Sequence, residues 1–117
     1  MTTPVPSIDD VPARPVLPIH RGITLNRSFF RKIDGVPIDI STDVFEGKIL
    51  SVDGSSTVAV IVVSVVDGPN GKFRMFLDDA ATAGLPLGTF PYYVSYTTFG
   101  GDTFLLFQGN AVITNLV

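Results

Sequence analysis

The chain has 117 residues, of which 45% are hydrophobic and only 16% are charged, and its net charge is −3 with an isoelectric point near 4.7. This length suits one domain and the apolar fraction can bury a core, so global disorder is excluded, while the acidic balance argues against nucleic acid or an anionic membrane as partner. Cysteine is absent and His20 is the single histidine, which excludes a disulfide framework, a thiolate nucleophile and a zinc–sulfur site.

The first segment, residues 1–18, contains five of the nine prolines. Proline lacks an amide hydrogen and disfavours helix in the residue before it, so an extended arm is expected here rather than part of a sheet. Apolar residues between the prolines favour an arm that docks on a neighbouring subunit; a disordered tail and an arm folded on its own domain are the alternatives. The residues expected to contact the partner are Pro4, Val5, Pro6, Ile8, Val11, Pro12, Pro15, Val16, Leu17 and Pro18.

Residues 19–117 are expected to form one β-sandwich domain. β-Branched and aromatic residues are abundant, whereas the helix formers Glu and Gln occur once each, which is an all-β composition. Alternating apolar stretches separated by Gly, Pro, Asn and Asp predict about seven strands in an immunoglobulin-like antiparallel β-sandwich.

The predicted strands follow one another with clear turns. Residues 57–66 are so uniformly apolar that both faces of this strand are expected to be covered. The turn at 67–71 predicts a hairpin with residues 72–77. Asp78 and Gly84 would begin and end the one expected helical turn. The other predicted strands or extended pieces are residues 23–29, 36–40 (an edge or a connection), 45–50, 90–96, 103–108 and 110–116.

Three polar features could suggest a chemical site, and each has a simpler structural explanation. His20 has no orienting partner in the sequence, so a residue at the domain boundary is the favoured interpretation. Asp34, Asp39 and Asp43 lack the spacing of a calcium loop and are interpreted as turn residues. The adjacent carboxylates Asp78 and Asp79 are explained by helix capping.

Loop tips and aromatic residues offer the remaining candidates. The tips at 67–70 and 100–102 have ordinary hairpin composition. Alternation places Tyr92 and Tyr96 on one face of a strand and Tyr93 on the other, so core packing or a protein interface is favoured over a sugar-binding platform that includes Phe99. No catalytic residue, metal ligand or cofactor site is predicted, and the chain is not expected to be an enzyme.

The order of short motifs resembles the small β-sandwich domain at the N-terminus of phage baseplate upper proteins and related tail-fibre proteins. The resemblance covers residues 21–114 and departs from the usual pattern at Ile23, where the family has Asp. Its pieces are Arg21-Gly22-Ile23-Thr24, Gly35-Val36-Pro37-Ile38-Asp39-Ile40-Ser41, the stretch from Gly71 through Thr82 to Leu85-Pro86-Leu87-Gly88 and Tyr92, and Leu105-Leu106-Phe107-Gln108-Gly109-Asn110-Ala111-Val112-Ile113-Thr114.

The resemblance implies a non-enzymatic virion protein that docks baseplate or tail-fibre parts through its arm and its sandwich edges. A low charged fraction and a mean hydropathy of +0.40 favour burial against other virion proteins and a homo-oligomer, trimeric or sixfold by analogy with tail parts. Deletion of residues 1–18 is expected to weaken assembly and leave the sandwich folded. A capsid decoration protein on the phage head is one alternative, and a carbohydrate-binding module that uses Tyr93 or Phe99 is another.

Overall fold

The computed structural model describes residues 7–8 and 14–115. Nearly all of its regular structure is β-strand, which confirms the all-β class. One short helix, α1, spans Asp79–Ala83. The strands are β1 (Ser7–Ile8), β2 (Leu17–Arg21), β3 (Leu25–Ile33), β4 (Val36–Pro37), β5 (Val44–Leu50), β6 (Thr57–Asp67), β7 (Lys72–Leu77), β8 (Gly88–Thr97) and β9 (Thr103–Asn115).

The strands form one continuous curled sheet. Its order is β1-β3-β7-β6-β5-β8-β9-β2, and β4 pairs with β3 beside this path. Pairing is antiparallel except at the two ends, where β1 runs parallel to β3 and β2 runs parallel to β9. The expected immunoglobulin-like arrangement of about seven antiparallel strands is therefore not shown: the described sheet is mixed, and its halves remain connected.

Strand β6 connects the two halves of the sheet. Its first part, to Ile61, pairs with β5, and its second part, from Val62, pairs with β7. A strand that changes partners in this way forms a corner at which a sheet can fold over. Phe73 of β7 consequently lies against rings from the other half, with centroid distances of 5.0 Å to Phe45 and 6.4 Å to Phe107.

The expectation that both faces of β6 are covered is wrong. Val60, Val62 and Val66 are 58%, 55% and 51% exposed, whereas Ile61 is 2% exposed. The cause is that the core packs against one face of β6, the face of Ile61, and no described residues cover the side chains on the other face. The uniformly apolar sequence therefore gives one buried face and one open face.

The core fills the space between the two halves of the sheet. Alternation along β7 supplies Phe73, Met75 and Leu77 to it, while the intervening side chains point outward. The hydrophobic residues buried in this single cluster are Leu17, Ile19, Leu25, Phe29, Ile40, Ile49, Ile61, Phe73, Met75, Leu77, Leu85, Tyr92, Val94, Tyr96, Leu106, Phe107, Ala111 and Ile113.

Most local predictions agree with the structure. β7 has the predicted bounds, and the tight turn before it contains Gly71 at a φ of +74°. Asp78 is the N-cap of α1 and accepts a hydrogen bond from the Ala81 amide at 2.7 Å, and Gly84 is the C-cap. The two closing pieces, predicted as residues 103–108 and 110–116, are instead one strand, β9.

Candidate docking site at the N-terminal segment

The start of the chain lies at both ends of the sheet. Ser7–Ile8 extends the β3 edge, in register with Phe30 and Arg31, and Leu17–Arg21 extends the β9 edge, in register with residues 111–115. These parts of the predicted arm are strands, contrary to the expectation that the segment stays outside the sheet. An edge position accommodates Pro18, because a strand at the edge needs hydrogen-bond donors on one side only.

The structure places the predicted arm contacts in different environments. Leu17 is 2% exposed and packs in the domain's own core, whereas Val16 is 59% exposed. Pro15 precedes β2 and Pro18 is an exposed residue within it. Ile8 lies in β1. The other predicted contacts, Pro4, Val5, Pro6, Val11 and Pro12, lie outside the described residues, and contact with a partner stays a prediction for the whole set.

Tyr92 and Gly109 hold the segment before β2 against the sheet. The Tyr92 hydroxyl donates a 2.6 Å hydrogen bond to the Pro15 carbonyl oxygen. Tyr92 on β8 and Gly109 on β9 are in register with each other. A Cβ atom at Gly109 would collide with that carbonyl and would lie 3.3 Å from the Arg14 carbonyl carbon. Only glycine therefore lets the backbone of residues 14–15 pass this close to β9.

A small open cavity adjoins this crossing. Its volume is about 190 Å³. Arg14 and Val16 contribute from the segment, and the rest of the lining comes from β8 and β9: Pro91, Tyr92, Gln108, Gly109 and Asn110. Burial raises the pKa of the Tyr92 phenol to about 12, so its hydroxyl keeps its proton and remains a donor at neutral pH.

Strand β2 is also held at its far end. The Arg21 guanidinium donates to the Ala83 carbonyl oxygen at 3.1 Å, at the end of α1. The fully buried Thr82 accepts a hydrogen bond from the Gly22 amide at 3.1 Å and donates one to the Ile23 carbonyl at 3.0 Å. The helical turn therefore holds the chain where it passes from β2 to β3.

One buried polar cluster lies among the elements at the β3 end. The Arg31 guanidinium is 4.2 Å from the centroid of the Tyr96 ring, donates to the Tyr96 hydroxyl at 2.8 Å, and lies 3.5 Å from an Asp43 carboxylate oxygen. Burial raises the pKa of Asp43, and the positive charge of Arg31 opposes this effect. The geometry is that of a structural ion pair, because the guanidinium contacts both the Tyr96 hydroxyl and the Asp43 carboxylate inside the domain.

The polar residues singled out in the sequence do not come together. His20 Nδ1 lies 3.0 Å from the Thr114 hydroxyl on the exposed side of the β2–β9 pair. Asp34 is in the turn between β3 and β4, at a φ of 51°. Hydrogen bonds from Ser41, its hydroxyl first and its amide second, lower the pKa of Asp39. Within residues 7–8 and 14–115, no group of three or more His, Cys, Asp or Glu is placed to hold a metal ion.

The tyrosines of β8 follow the predicted alternation, and the loop tips lie at turns as expected. Tyr92 and Tyr96 are buried, and Tyr93 is half-buried on the opposite face of β8. Phe99 is 88% exposed in the turn after β8. At the other tip, the Asn70 amide donates to an Asp67 carboxylate oxygen at 2.9 Å. These aromatic residues do not form a single flat platform.

Exposed apolar side chains are the surface feature that the sequence left unassigned. Val44, Val52 and Phe104 are 69%, 76% and 48% exposed, in addition to the valines of β6. Residue counts predict a neutral surface, but only the register of the strands shows where the apolar side chains lie. No helix in the described part of the chain has the length and apolar character needed to cross a membrane.

Comparison with known proteins gives a likeness of fold to a solved structure. No family model and no curated protein sequence matches the chain. Among solved structures, the chain is similar to the N-terminal domain of phage TP901-1 ORF48, with a TM-score of 0.54 and 14% sequence identity. The match covers 92% of this chain and 93% of that domain. At this identity the likeness shows a shared fold, which extends over almost the whole chain.

Proposed function

We propose that the protein is a non-enzymatic structural component of a phage virion, located in the tail at a baseplate or fibre attachment point. The observation that carries the proposal is the shared fold with a phage protein domain over 92% of this chain. The order of sequence motifs, which resembles phage baseplate upper proteins, supports the same assignment independently of the fold.

The N-terminal segment and the sheet ends are the proposed attachment points. β2 ends the strand order on one side, and on the other side β3 pairs with the two described residues of β1. Such strands leave backbone amides and carbonyls open to pairing with a neighbouring chain. Exposed apolar residues beside them, such as Val16 and Ile33, would be buried in an assembled particle.

Location on the particle tests the proposal. A small label after Val117 would be imaged on purified particles of the source phage. Label at the tail supports a baseplate or fibre role, and label over the head supports the alternative of capsid decoration. Particles without any label would refute the virion assignment and favour the glycan-binding alternative, whose first test is retention on glycans by the Phe99→Ala variant.

Truncation tests the role of the segment, and the structure determines where to cut. Deletion of residues 1–18 would remove Leu17 from the core, so loss of assembly would be confounded with loss of folding. Deletion of residues 1–13 keeps β2 and the Tyr92–Pro15 hydrogen bond. We expect this shorter chain to unfold cooperatively but to form smaller oligomers by light scattering. Full assembly by the truncated chain would exclude residues 1–13 as the attachment point.

A further inference from the structure

The outer face of β3, β7 and the second half of β6 concentrates positive charge on an acidic protein. Side chains on this face alternate with the core residues of each strand. Three of the chain's eight lysines and arginines lie here, in a chain whose net charge is −3. The residues of this face are Asn26, Ser28, Phe30 and Lys32 on β3, Lys72, Arg74 and Phe76 on β7, and Val62, Ser64 and Asp67 on β6, so three cations lie here with one carboxylate.

The three cations are held over aromatic rings. The ammonium nitrogens of Lys32 and Lys72 lie 5.3 and 5.8 Å from the centroid of the Phe30 ring. The guanidinium carbon of Arg74 lies 5.0 Å from the centroid of Phe76. Such contacts restrict long side chains and lower the entropy that is lost when they pair with an anion.

No carboxylate of the described residues forms a salt bridge with Lys32, Lys72 or Arg74. The two ion pairs shorter than 4.0 Å in that part of the chain are Arg31–Asp43 and Lys48–Glu46. Asp67 is in register with Lys72, but its carboxylate accepts from Asn70. The Nε atom of Arg74 is buried and has no hydrogen-bond partner among the described groups. The buried Nε atom is out of reach of a surface partner, so the exposed parts of these cations provide the positive charge that an anionic partner can satisfy.

We propose that this face binds an extended acidic segment of a partner protein, with alternate carboxylates of that segment paired to Lys72 and Arg74. Residues two apart on a strand are roughly 6.8 Å apart, which is also the spacing of alternate side chains in an extended peptide. A sugar polymer fits less well, because cations already cover the Phe30 and Phe76 rings that would stack on it. β1 of the N-terminal segment pairs with β3 beside this surface, so peptide binding is measured on the full chain and separately from the truncation experiment.

Binding of synthetic peptides to the full chain tests the proposal. The probes are a peptide of alternating Asp and Thr, a peptide of the same composition with its Asp residues contiguous, the Asn–Thr counterpart, and heparin as a polyanionic glycan. We expect the alternating acidic peptide to bind more tightly than the other three, with chemical-shift changes in β3 and β7. Its affinity should fall as salt rises from about 50 to about 300 mM, because exposed charges are screened.

Matched variants locate the interaction. Lys72→Gln and Arg74→Gln should each weaken binding about fivefold, the effect of a well-formed exposed ion pair. Lys48→Gln on the outer face of β5 removes the same charge elsewhere and should leave the affinity unchanged. Urea midpoints close to that of the parent chain would show that the variants are folded.

Four results would overturn the proposal. Equal affinity for the alternating and contiguous peptides would mean that the face does not distinguish the spacing of the carboxylates. Tighter binding of heparin would assign the face to a glycan. Equal losses in Lys48→Gln and Arg74→Gln would indicate general charge attraction. Asp9 and Asp10 follow β1 directly in the sequence. An Asp9→Asn, Asp10→Asn double variant removes these carboxylates as competitors of the peptide. Absence of peptide binding both in the parent chain and in this double variant would exclude the site.

Discussion

Replacement of Gly109 by alanine tests whether residues 14–16 are anchored to the sheet as the structure indicates. The new Cβ would overlap the Pro15 carbonyl oxygen and lie 3.2 Å from Tyr92 Cε1. The core holds Tyr92 in place, so the segment that carries the Pro15 carbonyl must move away from β9. The move breaks the 2.6 Å hydrogen bond between the Tyr92 hydroxyl and Pro15.

The expected cost follows from these two effects. Loss of the partner of a buried hydroxyl costs about 1–3 kcal/mol, and relief of an overpacked contact costs a similar amount. Because movement of the segment relieves the clash at the expense of the hydrogen bond, the two costs do not add, and we expect a loss of about 2 kcal/mol. With a urea dependence of about 2 kcal/mol per molar, the unfolding midpoint should fall by about 1 M.

Urea unfolding, together with limited proteolysis of the N-terminal segment, provides the assay. Gly100→Ala is the matched control, since the nearest atom to its new Cβ is the Thr98 hydroxyl at 3.9 Å. Tyr92→Phe removes only the hydroxyl and should cost about 1 kcal/mol. The reasoning predicts that Gly109→Ala combined with Tyr92→Phe is less destabilising than the sum of the two changes. Fully additive costs, or equal midpoints for Gly109→Ala and Gly100→Ala, would refute it.

Two further predictions concern buried hydroxyl groups. Thr82→Val leaves the Gly22 amide and the Ile23 carbonyl without their partner and should lower the free energy of unfolding by about 1–3 kcal/mol. Thr57→Val, at an exposed position, should change the free energy of unfolding by less than about 0.5 kcal/mol. Equal values for the two variants, by calorimetry or urea unfolding, would contradict this role of α1. The Tyr92 phenol, with its pKa raised to about 12, should ionise at a higher pH in an ultraviolet titration of the folded chain than it does after unfolding. Its contribution to stability is therefore complete below about pH 10 and disappears between about pH 10 and 12. A parent chain and a Tyr92→Phe variant that lose stability equally over this range would rule out the buried phenol as the cause.

Local features of the fold could be predicted from the sequence because neighbouring residues determine them. Asp78 and Gly84 are the caps of α1, since a short acidic side chain and a glycine satisfy helix ends wherever they occur. Strand alternation correctly placed Tyr92 and Tyr96 on one face of the strand and Tyr93 on the other, and the structure shows that the first face is the buried one. These inferences need a period of two and a few turn residues, and they hold whatever the order of strands in the sheet.

Features that depend on strand order could not be predicted in this way. The run of valines in β6 has no polar alternation, so only the change of partner at Ile61 and Val62 shows which side chains remain open. The prolines near the N-terminus predicted an arm outside the sheet, but an edge position lets β2 contain Pro18. Sequence gives the preferences of a segment, whereas its neighbours in space decide whether a sheet edge is available to it.

The candidate site has the same limits, for a physical reason. The hydrogen bond between Tyr92 and Pro15 joins residues 77 positions apart in the chain. Gly109, whose lack of a side chain permits this close approach, lies on a third segment. None of the three residues is unusual in its own sequence context. Gly109 in a strand is the one available signal, because an isolated glycine there often marks a close approach of another backbone. A strand glycine opposite a tyrosine therefore indicates where to look for a crossing chain, and the crossing segment itself has to come from the fold.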